Sequence, residues 1–360
     1  MATEAATTQR LGLAARLPLR KIVVWTLSIL IILGVVLGTR STLAAGIYSA
    51  DDWTSFIIQG IAQGSLYALI AMGYTLVYGI LFMINFAHGE IFMAGAFTSF
   101  FMARTLDDTG FYNSNPIISI LILLAVSCGV SVLTAVLLER IAYRPLRGAP
   151  RLVPLITAIG ASLFLQNTFR GLYGARVFGY PRPAPLDGTW NLFGTDVLKV
   201  HVISIIGALI LVVLLYMFIT RTKTGRSMRA VGEDKEIASL MGINVDRIIV
   251  TTFVLGGALA GAAGVLWALV FRQVNFFMGF FPGIKAFTAA VLGGIGNVIG
   301  AALGGLALGI LEALVPTLLL TGPGVPSPLQ LKDAVAFTVL VLVLIFRPGG
   351  ILGSTEEEKA

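Results

Sequence analysis

From Pro116 to Leu138 the chain reads PIISILILLAVSCGVSVLTAVLL without a charged residue, and 201–219 and 248–271 match it in length and character. About 20 apolar residues in an α-helix cross the ~30 Å hydrocarbon core of a bilayer. Lipid offers no partners to the backbone, so runs of this length fold as helices that satisfy their own N–H and C=O groups. Composition agrees with a membrane class. The 360 residues are 57% hydrophobic and 12% charged, whereas a soluble domain carries about 25% charged residues.

The same criterion places spans at 22–39, 56–79, 86–103, 116–138, 152–172, 201–219, 248–271, 284–297, 298–318 and 332–346. The expected fold is an all-α polytopic membrane protein with about ten (eight to ten) helices, some short or broken. Arg10, Arg16, Arg20 and Lys21 ahead of the run Ile22 to Gly38 resemble a signal peptide. At about 17 residues the run is near the minimum for a span and reads as a retained first helix. The stretch Ala286 to Leu311 is uncharged but interrupted by Gly293, Gly294, Gly296 and Asn297. It reads as one long helix, two short helices or a re-entrant segment.

Charge gives an orientation. Arg140, Arg144, Arg147 and Arg151 fall in 139–151, and Arg221, Lys223, Arg226, Arg229, Lys235 and Arg247 in or beside 220–247. The alternate segments 40–55 and 104–115 hold one basic residue each, with Asp51, Asp52, Asp107 and Asp108. The positive-inside rule then puts the tail 1–21, the loop 220–247 and the tail 348–360 in the cytoplasm, with the transmembrane domain at 22–347 and 173–200 as an outer loop. Trp190, Tyr180 and Phe193 suit an interfacial element in that loop. If 284–318 crosses once, or its first half only dips in, the C-terminus changes side. The net charge of +7 flanks spans and forms no aromatic-interleaved patch, which argues against nucleic acid.

Several chemistries are excluded. The sequence holds no G-x-x-x-x-G-K-[ST] phosphate loop, no H-E-x-x-H and no G-x-S-x-G. Its two histidines and one cysteine cannot make an ordinary structural zinc site. No catalytic residue, metal site or cofactor is therefore expected in this chain.

The loop 220–247 predicts a short helix between Glu233 and Met241. Ile237, Leu240 and Met241 share one face. Glu233, Asp234 and Glu236 crowd the first turn, where negative charge is favoured, and Gly242 is a suitable stop. It is either a connecting helix at the lipid headgroups or a docking helix for a cytoplasmic partner. Glu236-Ile237-Ala238-x-x-x-Gly242 resembles the E-A-A-x-x-x-G loop of ABC importer permeases, without the downstream I-x-L-P. GYTLVYGILFMINFAHGEIFMAGAF, EDKEIASLMGINVDR, AVLGGIGNVIGAALGG and FRPGGILG together resemble the branched-chain amino-acid permeases of the LivH type, over about 56 to 353. The resemblance implies a bacterial inner-membrane permease that pairs with a second permease or itself. Two cytoplasmic ATPase subunits, which use the ATP, would drive it, and a periplasmic binding protein would deliver the amino acid. Glu233, Asp234, Glu236, Ile237, Leu240, Met241 and Gly242 would then couple to the ATPase. The same machinery importing urea, amides or a sugar is an alternative. An ion-coupled secondary transporter with His88 and Glu90 at a proton site is another.

MINFAHGEIF (83–92) sets Asn85, His88 and Glu90 in apolar surroundings. The layout puts MINFAHGE at the cytoplasmic end of a helical hairpin, with Asn85 capping the third helix and Glu90 in its first turns. Asn85, His88, Glu90, Gly296 and Asn297 are also the candidates for a pathway or gate. Pairs such as Gly257/Gly261 and Gly305/Gly309 allow close helix approach, whereas glycines 293–296 fit either packing or a helix broken in mid-membrane. Glu312, Gln166 and Asn167 are expected at the outer interface, and Arg272 and Lys285 bracket the outer loop 273–284.

Overall fold

The computed structural model describes residues 19–353 other than 151, 193 and 348. The expectations for Arg10, Arg16, Arg151, Phe193 and the tail beyond 353 lie outside the described residues. In chain order the helices are α1 (Leu19–Ala45), α2 (Ala50–Leu81), α3 (His88–Asp108), the short α4 (Phe111–Ser114) and α5 (Pro116–Leu138). They continue with α6 (Leu152–Tyr173), α7 (Lys199–Arg221), α8 (Lys223–Glu233), α9 (Lys235–Leu240) and α10 (Val245–Phe271). The last three are α11 (Phe280–Gly293), α12 (Val298–Leu320) and α13 (Lys332–Phe346). Every expected span is a helix. Eight helices are long and apolar enough to cross a membrane, among the described residues. The 14 residues of α11 reach only about 21 Å at ~1.5 Å per residue, short of a full crossing. The 284–318 region is thus two helices parted by a break at 294–297.

Two units make up the chain. In one, α1 and 315–331 pack through Gly38 against the backbone of Leu319, and Thr42 Oγ1 accepts from the Gly322 amide at 2.8 Å. Tyr48 and Thr321 hydroxyls meet at 3.3 Å. Trp25, Ile29, Leu30, Ile32 and Leu33 are exposed along α1, as a lipid-facing helix requires.

In the other unit, 50–314 with 332–353, α2 and α10 form the centre. Buried residues fill 83% and 72% of their apolar windows, against 17% for α7. Side-chain size explains the difference. Lipid tails are as apolar as leucine, so helices associate in a bilayer where small residues let backbones approach. Gly257 and Gly261 of α10 rest on the backbone of α5 at Ser131, Val132 and Cys128. Ser127 Oγ donates to Gly261 O at 2.7 Å across that contact. Gly305 and Gly309 of α12 meet α2 at Ala68 and Gly64. The packing reading of these glycine pairs holds within this chain, whereas leucine-rich α7 stays peripheral.

Two small strand pairs lie between the spans. Phe178–Gly179 (β1) pairs antiparallel with Gln273–Val274 (β4), and Thr189–Leu192 (β2) with Thr195–Leu198 (β3). Trp190 is exposed, but Tyr180 is buried and its hydroxyl meets Ser99 Oγ at 3.0 Å, correcting its expected interfacial place. Arg182 donates to Leu269 O and Val270 O, which have no helical donors at the end of α10. Burial pulls the Arg182 guanidinium below its ordinary range, while Asp187 opposes that shift.

Candidate functional site

The stretch 82–90 folds back into the protein. Phe82 at φ 53° ends α2, and its amide donates to Tyr78 O at 2.8 Å. Asn85 is buried; its Oδ1 accepts from the Ala87 amide at 3.1 Å and from the Tyr143 hydroxyl at 2.6 Å. The expected cap is therefore displaced. Ala87, without a side-chain bond, flanks α3, and Asn85 closes a turn two residues earlier. His88 packs edge-on against Tyr74, with centroids 4.7 Å apart, in space that a Cβ at Gly73 would fill. Gly73 lies eight residues before Leu81, the last residue of α2, or about 12 Å of helix. His88 is thus recessed from the end of α2, where MINFAHGE was expected.

Glu90 is deeper inside than expected as well. Its Oε1 accepts from Gln166 Nε2 at 2.7 Å and from Ser162 Oγ at 3.2 Å. Gln166 stands fourteen residues beyond Leu152, about 21 Å along α6. Gln166, assigned from sequence to the outer interface, is instead a buried partner of a buried carboxylate. The other carboxylate oxygen faces Gly279 and has no hydrogen-bond partner among the described residues.

Gly294 and Gly296 have φ of 106° and 96°, which stops α11 at the break. Asn297 Oδ1 accepts from the Gly300 amide, and its Nδ2 donates to Leu352 O, both at 3.0 Å. Leu352 N donates to Gly293 O at 2.9 Å, so the C-terminal G-G-I-L-G segment docks on the break. Between this break and the 82–87 turn is a void of only about 10 Å³, lined by Tyr74, Asn85, Phe287 and Ile295 among others.

The loop 220–247 holds two helices where one was expected. Glu233 ends α8 and is not in the first turn of α9. Asp234 is the cap: its Oδ1 accepts from the Glu236 and Ile237 amides at 2.8 and 2.9 Å. Gly242 stops the segment at φ 82°. Ala238 is buried, while Ile237, Leu240 and Met241 are 60%, 87% and 78% exposed. On the inner side, Gly232 packs on Gly79 O, and Lys235 Nζ lies 5.7 Å from the Phe82 ring. Burial, then Arg147, lowers the Lys235 ammonium below its ordinary range. Arg144 and Arg147 pair with Asp246, and Arg147 also with buried Glu139, which ties the segment after α5 to the start of α10.

A second polar cluster was not recognised from sequence. Lys285 Nζ lies 3.0 Å from Glu312 Oε1, 2.6 Å from Asp333 Oδ1 and 3.3 Å from the Tyr67 hydroxyl. Glu312 Oε2 accepts from Tyr67 at 2.9 Å and from Gln63 at 3.0 Å. Both Lys285 and Glu312 are buried and paired with each other, not exposed. The signal available was the ionisable residue itself within an apolar run. Pro316, four residues on, does not end α12, which continues to Leu320.

Comparison with known proteins adds an independent observation. The family described as "Branched-chain amino acid transport system / permease component" matches residues 56–344. The high-affinity branched-chain amino acid transport system permease protein BraD of Pseudomonas aeruginosa is 46% identical over 84% of this chain and 96% of its own length. The corresponding protein LivH of Escherichia coli K12 is 43% identical over the same shares. A probable branched-chain amino acid transport permease protein LivH of Methanocaldococcus jannaschii is 27% identical over 84% of this chain and 94% of its own.

Proposed function

The chain belongs to the family of branched-chain amino acid transport permeases, and from that premise we propose that it forms the translocation pathway of an ATP-driven importer of branched-chain amino acids in the bacterial inner membrane. The observation that carries the reading is the near full-length similarity to BraD and LivH. Two cytoplasmic ATPase subunits supply the energy, a periplasmic binding protein supplies the cargo, and a second permease, identical or related, completes the pathway. No catalytic step falls to this chain.

The exposed face of α9 supports a docking role for 233–242. Ile237, Leu240 and Met241 fill a groove on the ATPase, Glu233, Asp234 and Glu236 meet its basic residues, and Gly242 holds the turn. In this reading 220–247 and both termini are cytoplasmic and 173–200 is outside. Motion of α9 reaches the interior through the Lys235 contact with Phe82 and the Gly232 contact with Gly79. The narrow void beside Asn85 acts as the inner gate, with Gly296 and Asn297 holding Ile295 on its opposite wall. His88 and Glu90 set the packing behind that gate.

Reconstitution tests the proposal. Proteoliposomes holding the permease pair and ATPases should take up L-leucine only with ATP and loaded binding protein. Uptake by this chain alone, driven by an ion gradient, would overturn it.

A further inference from the structure

Beside the Lys285 cluster is an open cavity of about 200 Å³ whose walls divide by chemistry. Tyr67, Trp267, Phe271 and Phe281 give it aromatic surface. Trp267 lies 5.9 Å from Tyr67 and 4.2 Å from Phe271 between ring centroids. Lys332 and Asp333, consecutive at the start of α13, bring an ammonium and a carboxylate to the rim. Asp333 gives one oxygen to Lys285 Nζ, yet its side chain remains 41% exposed. Lys332 has no ion-pair partner among the described residues. All these residues belong to one unit.

A cavity this size suits a small metabolite, since sites for drug-sized ligands run to about 300–1,000 Å³. Its polar groups demand opposite charges on one ligand, an anionic group for Lys332 and a cationic group for Asp333. Its aromatic walls favour an apolar body between them. A sugar or urea carries neither charge. We propose that this cavity is a receiving site for a zwitterionic amino acid with an apolar side chain. Lys332 takes the carboxylate, Asp333 the ammonium, and Trp267 with Phe271 the side chain. The proposal rests on the transport reading above and gives that reading a location.

Position agrees with such a role. Phe271 ends α10, whereas α9 precedes Val245 at its other end, and the 27 residues of α10 measure about 40 Å. The cavity is therefore at the end of α10 remote from the docking helix, the side from which a binding protein would deliver cargo. Exposed charges at its rim are screened by water, so binding is weak enough for onward release.

The test uses the complete transporter in proteoliposomes with loaded binding protein, comparing wild type with Lys332→Gln, Lys332→Arg and Trp267→Ala. Lys332→Gln should lower L-leucine uptake about tenfold, the size expected for one charged hydrogen bond. Binding-protein-stimulated ATP hydrolysis should persist, and Lys332→Arg should recover uptake. In direct binding of radiolabelled L-leucine to the detergent-solubilised complex, leucinamide and isocaproate should compete poorly, each lacking one charge. Unchanged uptake in both Lys332→Gln and Trp267→Ala would overturn the cavity assignment and leave the transport reading standing. Parallel loss of uptake and ATPase stimulation in Lys332→Gln would overturn it in favour of a subunit contact. A wild-type complex that carries no L-leucine would overturn both.

Discussion

Glu90 and Gln166, on α3 and α6, meet at 2.7 Å with both side chains buried. A charge at the bilayer centre costs about 2.5–3.5 kcal/mol on insertion scales, so a carboxylate buried among apolar helices calls for partners, and the amide of Gln166 is one. Gln166→Leu should therefore lower the thermal stability of the purified complex by about 1.5–3 kcal/mol, the range for a hydrogen bond to a charged group. Glu90→Gln should cost less, because its amide oxygen can still accept from Gln166 and Ser162 while the buried carboxylate is gone. Thermal unfolding in detergent reads both. ATP-driven uptake by Glu90→Gln should persist, and its loss in a stably assembled complex would move Glu90 from packing to the gate.

Lys285, Glu312 and Asp333 join α11, α12 and α13 through one ammonium. Breaking one side of a buried pair strands the other charge, at about 3–5 kcal/mol. Lys285→Met and Glu312→Gln should each destabilise strongly, Lys285→Met more, since it leaves two carboxylates facing each other. The double variant Lys285→Met/Glu312→Leu should recover part of the loss, because a well-packed apolar pair often replaces a buried ion pair without penalty. Denaturation of wild type, Lys285→Met, Glu312→Leu and Lys285→Met/Glu312→Leu closes a double-mutant cycle and checks the coupling.

These two clusters also show where sequence reading stops. Apolar runs made the helices legible, and local chemistry made Asp234 and Gly242 legible, because a cap and its amides lie within three residues. Glu312 and Gln166 failed for the opposite reason. Their partners Lys285 and Glu90 are on other helices, and depth was judged from the ends of apolar runs. The helices that carry Gln166 and Glu312 end within two residues of the expected spans, so what was missing was the partner across the helix contact and not the helix end. Bilayer helices tolerate proline where neighbouring groups serve the freed carbonyl, so Pro316 is a weak stop signal here.

Gly309 offers a packing test. A Cβ there would overlap the Gly64 backbone, which has no side chain to move aside, whereas Gly129 has open space. Gly309→Val should separate α12 from α2 and cost about 1–3 kcal/mol or more. Gly129→Ala should be neutral or stabilising by about 0.5–1 kcal/mol, since glycine is a poor helix former. Thermal stability and the yield of folded protein after solubilisation distinguish the two.

The docking role proposed for α9 gives the sharpest separation of function from stability. Leu240 and Met241 are almost fully exposed, so nothing in this chain depends on them for packing. Exposed substitutions normally shift stability within about 0.5 kcal/mol. Leu240→Asp/Met241→Asp should leave the permease folded with unchanged thermal stability. It should nevertheless abolish co-purification of the ATPase subunits, because two charges would face an apolar groove. Asp234→Ala acts differently: it frees the Glu236 and Ile237 amides and should loosen α9 by about 1 kcal/mol. Gly242→Val forces a β-branched residue to a φ of 82°, with strain of about 1–3 kcal/mol. Both variants should keep the ATPases bound while reducing transport-stimulated ATP hydrolysis, since a frayed lever transmits less motion. Intact transport and intact stimulation in all three variants would remove α9 from the coupling path.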